Sequence, residues 1–117
     1  MKKVYHLSSC STCQRILNDI GSTDFVLQDI KTEAISESQL EEMYSVTSSY
    51  EDLFSKRAMK YKSMGLKDKN LKEEDFKNLI LQEYTFLKRP VFIIDGEVFI
   101  GNSKKVVEAV KNILANE

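Results

Sequence analysis

The period of the apolar positions changes several times along this chain. Residues 2–7 (KKVYHL) alternate loosely between polar and apolar and predict a short strand. From about residue 12 to 20 the spacing turns helical, with Ile16, Leu17 and Ile20 on one face, and Gly21 is placed to stop the helix. Residues 25–30 (FVLQDI) return to a strand pattern. The middle then reads helical. Ser36 with Gln39 has the form of a capping box ahead of Leu40, Met43 and Tyr44. A second helical segment is predicted over residues 51–64. Asn70 with Glu73 predicts another capping box, opening a helix that carries Phe76, Leu79, Ile80, Glu83, Tyr84 and Leu87. After it come two β-rich runs, Val91–Ile94 and Glu97–Ile100, on either side of Asp95-Gly96. That dipeptide predicts a tight hairpin, because a type I′ turn needs positive φ at both central residues. A last helix starts near Ser103 with Val106, Val107, Val110, Ile113 and Leu114 on one face.

The predicted order is β-α-β, a helical block, then β-β-α. Strand, helix, strand in about thirty residues is a βαβ unit with a parallel pair. With the block set aside, the two ends form a thioredoxin-like α/β fold. Its four-stranded mixed sheet is covered by helices, and residues 35–87 are a helical insertion within one domain of residues 1–117.

Composition keeps this picture. The chain has 117 residues, 42% hydrophobic and 30% charged, which is ordinary for a globular domain with its own core. No apolar run approaches the roughly 18 residues of a membrane span. The opening MKKVYHLSS has neither the apolar region nor the cleavage site of a signal peptide, so a cytoplasmic protein is expected. The net charge of −1 gives no overall attraction to nucleic acid or to an anionic membrane. The charge is unevenly spread, however. Residues 31–55 carry one positive and six negative side chains, and residues 56–72 carry seven positive and one negative. The second stretch is either a solvated helical face or a basic edge that meets an anion.

The stretch HLSSCSTCQRIL holds both cysteines and the only histidine. Cys10 falls where the first strand gives way to the first helix. Backbone N–H groups there lack helical partners and the dipole is positive, so a thiolate is favoured. Thiols so placed have pKa values of roughly 3.5–7.5, and the thiolate is the nucleophile. Cys13 follows at i+3, on the same face, where it could resolve an adduct on Cys10 by forming a disulfide. Arg15 is close enough in sequence to bind an anion, and His6 as imidazolium would favour the thiolate. Blander readings stand beside these. A free cysteine is often a small buried hydrophobe. A structural zinc site needs four ligands, and the chain has no second Cys/His pair, so no metal is expected. His6 reads equally well as a satisfied core residue. Pro90, the only proline, serves as a helix stop and strand start, or as a cis bond beside the redox turn.

Three stretches, in this order, resemble the arsenate reductase and Spx family of thioredoxin-like proteins: YHLSSCSTCQR, LFSKRAMKYKSMGL and LKRPVFIIDGEVFIGNSKKVVEAV. The resemblance covers nearly the whole chain. It implies that Cys10 is the nucleophile, that His6 matches a histidine four residues before it, and that Arg57 and Arg89 bind an oxyanion. It also implies that Pro90 is cis. A planar guanidinium fork suits such an anion. The implied activity is a thiol-dependent oxidoreductase that takes a small oxyanion, arsenate first, or another thiol substrate. No bound cofactor is implied; glutathione with glutaredoxin, or thioredoxin, would act as external reductant.

Departures from the family pattern separate two readings. Asn102 stands where the reductases carry a third arginine, followed by Lys104 and Lys105, and Leu7 replaces an asparagine. The Cys-x-x-Cys resembles the Spx side, a redox-switched transcription regulator that binds the RNA polymerase α subunit. Ser49 stands where Spx proteins have a glycine, eight residues before Arg57. The enzyme is the leading reading and the regulator the alternative.

Overall fold

The computed structural model describes residues 1–21 and 24–116. Contacts within the chain divide it into two units, Met1–Glu33 with Arg89–Glu117, and Ala34–Lys88.

The first unit holds a four-stranded mixed sheet. Its strands are β1 (Lys2–His6), β2 (Val26–Asp29), β3 (Val91–Ile94) and β4 (Glu97–Ile100), in the order β2-β1-β3-β4. β1 pairs parallel with β2 and antiparallel with β3, and β3 pairs antiparallel with β4. The hairpin forms as its dipeptide predicts: Asp95 has φ 49° and Gly96 φ 88°. Helix α1 (Ser11–Ile20) ends on Gly21, which takes φ 72°. Helix α6 (Lys104–Ala115) starts at Ser103, whose hydroxyl accepts from Val106 N–H at 3.2 Å. Val4, Phe92 and Ile94 share one face of the sheet. They bury against Ile16 and Leu17 of α1, Phe25, and Val110 of α6. This packed face holds β1 and α1 in place, and the junction between them carries Cys10.

The second unit is helical: α2 (Glu37–Thr47), α3 (Tyr50–Leu53), α4 (Met59–Ser63) and α5 (Glu73–Gln82), with 3-10 turns at Leu66–Asp68 and Tyr84–Phe86. The Ser36–Gln39 capping box is present in both directions, at 3.0 Å each. Phe54 lies at the centre of this unit, with its ring stacked on Phe86 and edge-on to Phe76.

Two helical expectations fail here for the same reason. The continuous helix over residues 51–64 is broken, because Phe54 is extended (φ −89°, ψ 130°) and bridges Leu87. Ser55 N–H donates to Phe86 O at 2.7 Å, and Lys88 N–H donates to Leu53 O at 2.9 Å. Backbone groups committed to this ladder are lost to a helix on either side of it. The helix expected to reach Leu87 accordingly stops at Gln82, where Glu83 turns extended (φ −141°). The Glu83 carboxylate accepts from Thr85 N–H and Oγ1 and pairs with Lys60 at 2.6 Å. The start of α5 is also later than expected. Lys72, not Asn70, precedes it, and Lys72 N–H donates to Asp75 Oδ2 at 2.8 Å.

Candidate functional site

A tight turn follows β1. Cys10 N–H donates to Leu7 O at 3.0 Å, closing residues 7–10, and Cys10 is the residue before the first turn of α1. The first turn of α1 holds no acidic residue. Cys10 is half-buried and Cys13, one turn on, is fully buried; both are free thiols.

Several groups act on the Cys10 sulfur. Partial burial on its own would raise its pKa. The Cys13 backbone N–H, the Cys13 thiol, and the guanidinium of Arg89 donate to the sulfur, Arg89 adds positive charge, and together they bring the pKa below the ordinary thiol value. Cys13 goes the other way. Burial above all, with the bond to the Cys10 sulfur and the charge there, pushes it up to about 12, against the lowering effect of the Leu7 backbone and a smaller one from Arg89. The two thiols therefore differ: Cys10 ionises more readily than an ordinary thiol and Cys13 far less readily.

A direct expectation follows for labelling. Iodoacetamide near neutral pH modifies Cys10 and spares Cys13, as peptide mass spectrometry will show. The rate against pH rises through an apparent pKa below that of a free thiol, because only the deprotonated form reacts. Arg89→Gln removes the positive charge, raises that pKa and slows labelling at pH 7 several-fold. Equal labelling of both cysteines would contradict the assignment.

Arg89 leads into β3 through Pro90, and the Arg89–Pro90 peptide is cis. Pro90 is buried, and its carbonyl accepts from Gly101 N–H at 2.9 Å, so the end of β4 is tied beside it. Asn102 follows Gly101 and is exposed.

His6 ends β1 and is buried, at 8% exposure. Its Nδ1 lies 3.2 Å from Gln14 Nε2, and the same amide donates to Leu7 O at 3.1 Å. With Nδ1 as acceptor, the Gln14 amide bonds both the imidazole and the Leu7 carbonyl. The groups acting most strongly on Cys10 are Cys13 and Arg89. Arg15 lies on the exposed side of α1. Arg57 belongs to the second unit, in an exposed turn between Phe54 and α4. In that unit Ser49 caps α3 by accepting from Asp52 N–H at 3.1 Å. Among the described residues, no three His, Cys, Asp or Glu side chains gather as metal ligands, and no helix is long and apolar enough to cross a membrane.

Three residues of the site escape a reading of the sequence. Gln14 grips Leu7, Asp29 grips Ser8, and Ser8 has no chemistry of its own that points to a role. The clue available was the position of Asp29, near the end of a strand predicted to run parallel to the one feeding Cys10.

The site is thus framed by a thiol at the junction of β1 and α1 and by an arginine and cis-proline entering β3. The ArsC family model matches residues 5–110. The chain belongs to the ArsC family. Among curated proteins none matches it by sequence. Solved structures of similar fold include an arsenate reductase from Vibrio cholerae, 19% identical with TM-score 0.72, covering 96% of each chain. An arsenate reductase related protein from Brucella melitensis is 22% identical with TM-score 0.70, covering 92% of each. A possible arsenate reductase from Streptococcus mutans is 27% identical with TM-score 0.68, covering 89% of this chain and 92% of that one. At these identities the first two show the shared fold, and the assignment of this ArsC-family chain rests on the family model.

Proposed function

We propose that this protein is a thiol-dependent oxidoreductase with arsenate as the substrate. The observation that carries this reading is the Cys10 sulfur, half-exposed at a helix start and held below its ordinary pKa by Cys13 and Arg89. The names of the ArsC-family neighbours support the choice of oxyanion.

The chemistry balances on two thiols. The Cys10 thiolate attacks arsenic(V), and an arsenic-bound hydroxyl takes a proton from solvent and leaves as water, giving a sulfur–arsenic bond. Arg89 offers donors and positive charge to the incoming anion as well as to the sulfur. A second thiol then attacks the Cys10 sulfur. The sulfur–arsenic bond breaks, its electron pair stays on arsenic, and arsenite departs with arsenic reduced by two electrons. Cys13 lies beside Cys10 for this step and gives up its proton as it attacks, leaving a Cys10–Cys13 disulfide. Thioredoxin, or glutathione with glutaredoxin, returns the pair to thiols.

The test is NADPH oxidation driven by arsenate, coupled through glutathione and glutaredoxin and, separately, through thioredoxin. Turnover with either supports the reading. No turnover of fully reduced protein with either would overturn it. If the same protein instead bound the polymerase α C-terminal domain, the regulator reading would take its place.

A further inference from the structure

The Cys10 turn is held from outside by a residue that has no part in the chemistry. Asp29 closes β2, next to β1 in the sheet. Its carboxylate accepts twice from Ser8: from the hydroxyl at Oδ2, 2.5 Å away, and from the backbone N–H at Oδ1, 3.3 Å away. Ser8 is the second residue of the turn whose fourth residue is Cys10. The first residue, Leu7, is gripped separately, since its carbonyl takes both Cys10 N–H and the Gln14 amide. The turn is thus fixed at Leu7 from α1 and at Ser8 from β2, and Ser9 alone is left exposed without such a hold.

We infer that Asp29 is a positioning residue, clamping Ser8 so that the Cys10 sulfur meets the Cys13 N–H and the Arg89 guanidinium. The inference rests on reading Cys10 as the reactive thiolate. Its logic is geometric. The donors to the sulfur belong to α1 and to the start of β3, whereas the location of the sulfur is set by the turn. Loosening the turn withdraws the sulfur from its donors, and each lost donor disfavours the thiolate. A carboxylate that takes a short charge-assisted bond from a turn hydroxyl is a firm anchor for such a turn. Beyond Ser8, Asp29 faces His6 across the β1–β2 pair and Lys31, whose N–H donates to Oδ1 at 3.2 Å.

A bystander carboxylate and a clamp predict opposite signs. Removing a nearby negative charge favours another anion, so a mere electrostatic neighbour would make Cys10 more acidic once neutralised. Losing a clamp makes Cys10 less acidic. The experiment compares Ser8→Ala, Asp29→Ala, Asp29→Asn and the Ser8→Ala/Asp29→Ala double variant with the wild type. It reads iodoacetamide labelling of Cys10 against pH and hydrogen exchange of the Cys10 amide by NMR. Ser8→Ala matters most, because the Ser8 hydroxyl bonds to Asp29 and its removal leaves the charge and the Lys31 contact in place.

Ser8→Ala and Asp29→Ala are each expected to slow labelling at pH 7 by about threefold to tenfold and to speed exchange of the Cys10 amide. Asp29→Asn keeps an acceptor and stays closer to the wild type. The double variant is no slower than the slower single, since Asp29→Ala already removes the hydroxyl bond that Ser8→Ala removes. Unchanged exchange and labelling in Ser8→Ala, or faster labelling in Asp29→Ala, would overturn the inference. So would faster exchange with labelling unchanged, for then the turn would loosen without moving the sulfur. If wild-type Cys10 reacts no faster than a free thiol, the thiolate reading fails instead, while exchange in Ser8→Ala still decides the clamp.

Discussion

Cys10→Ser is expected to reduce arsenate reduction to the uncatalysed background. A serine hydroxyl at the same place does not ionise near neutral pH, whatever donors surround it. It therefore cannot form the bond to arsenic on which both electrons travel. Cys13→Ser is the informative companion. The first step needs only Cys10, so this variant still takes up one arsenate per chain. With thioredoxin as the only reductant it then stalls, because no thiol lies beside Cys10 to break the sulfur–arsenic bond. Adding glutathione restores turnover by supplying that thiol from solution. The coupled NADPH assay reads all three results. Activity remaining in Cys10→Ser would refute the site, and full thioredoxin-driven turnover in Cys13→Ser would remove Cys13 as the resolving thiol.

Phe92→Ala is expected to cost about 3–5 kcal/mol of folding stability. Phe92 is fully buried in the middle of β3, opposite Val4 and Phe99 in register, with its ring edge-on to Phe25 at 6.0 Å between centroids. Alanine leaves a cavity walled by Val4, Phe25 and the inner faces of α1 and α6, which regular secondary structure keeps from collapsing. For a domain whose whole stability is of order 5–15 kcal/mol, that is a large share. Urea denaturation measures it as a lower midpoint. Val26→Ala on the edge strand β2 is the control: Val26 is 57% exposed, and its loss is expected to stay within about 0.5 kcal/mol. A cost below about 1 kcal/mol for Phe92→Ala would show that this face is not the core.

What could be read from the sequence was what neighbouring residues decide. Asp95-Gly96 specifies its own turn through the φ angles that only a few residues tolerate, and the turn is there. Ser36 and Gln39 cap a helix by bonding each other's backbone, three residues apart. The placing of Cys10 at a strand-to-helix junction needed only the change of period around it. Misreadings arose where distant residues decide. Nothing near Phe54 forbids a helix; its bridge to Leu87, thirty-three positions on, breaks one. The hold of Asp29 on Ser8 spans 21 positions and leaves no periodic trace. Arg89, brought in by β3 from far along the chain, supplies positive charge at the Cys10 sulfur.

That last pairing bears on how the chain folds. β1 meets β3 through partners such as Lys2 and Ile94 or Tyr5 and Val91, whose separation in sequence spans most of the chain. Closing so long a loop is among the slower steps open to a small protein. Until it closes, Cys10 has its helix start but lacks Arg89, and its thiol remains closer to an ordinary one. The acidity of Cys10 is thus a clock for the pairing of the first strand with the third. A refolding chain pulsed with a thiol-specific reagent will gain its fast-reacting cysteine only when the first and third strands have joined.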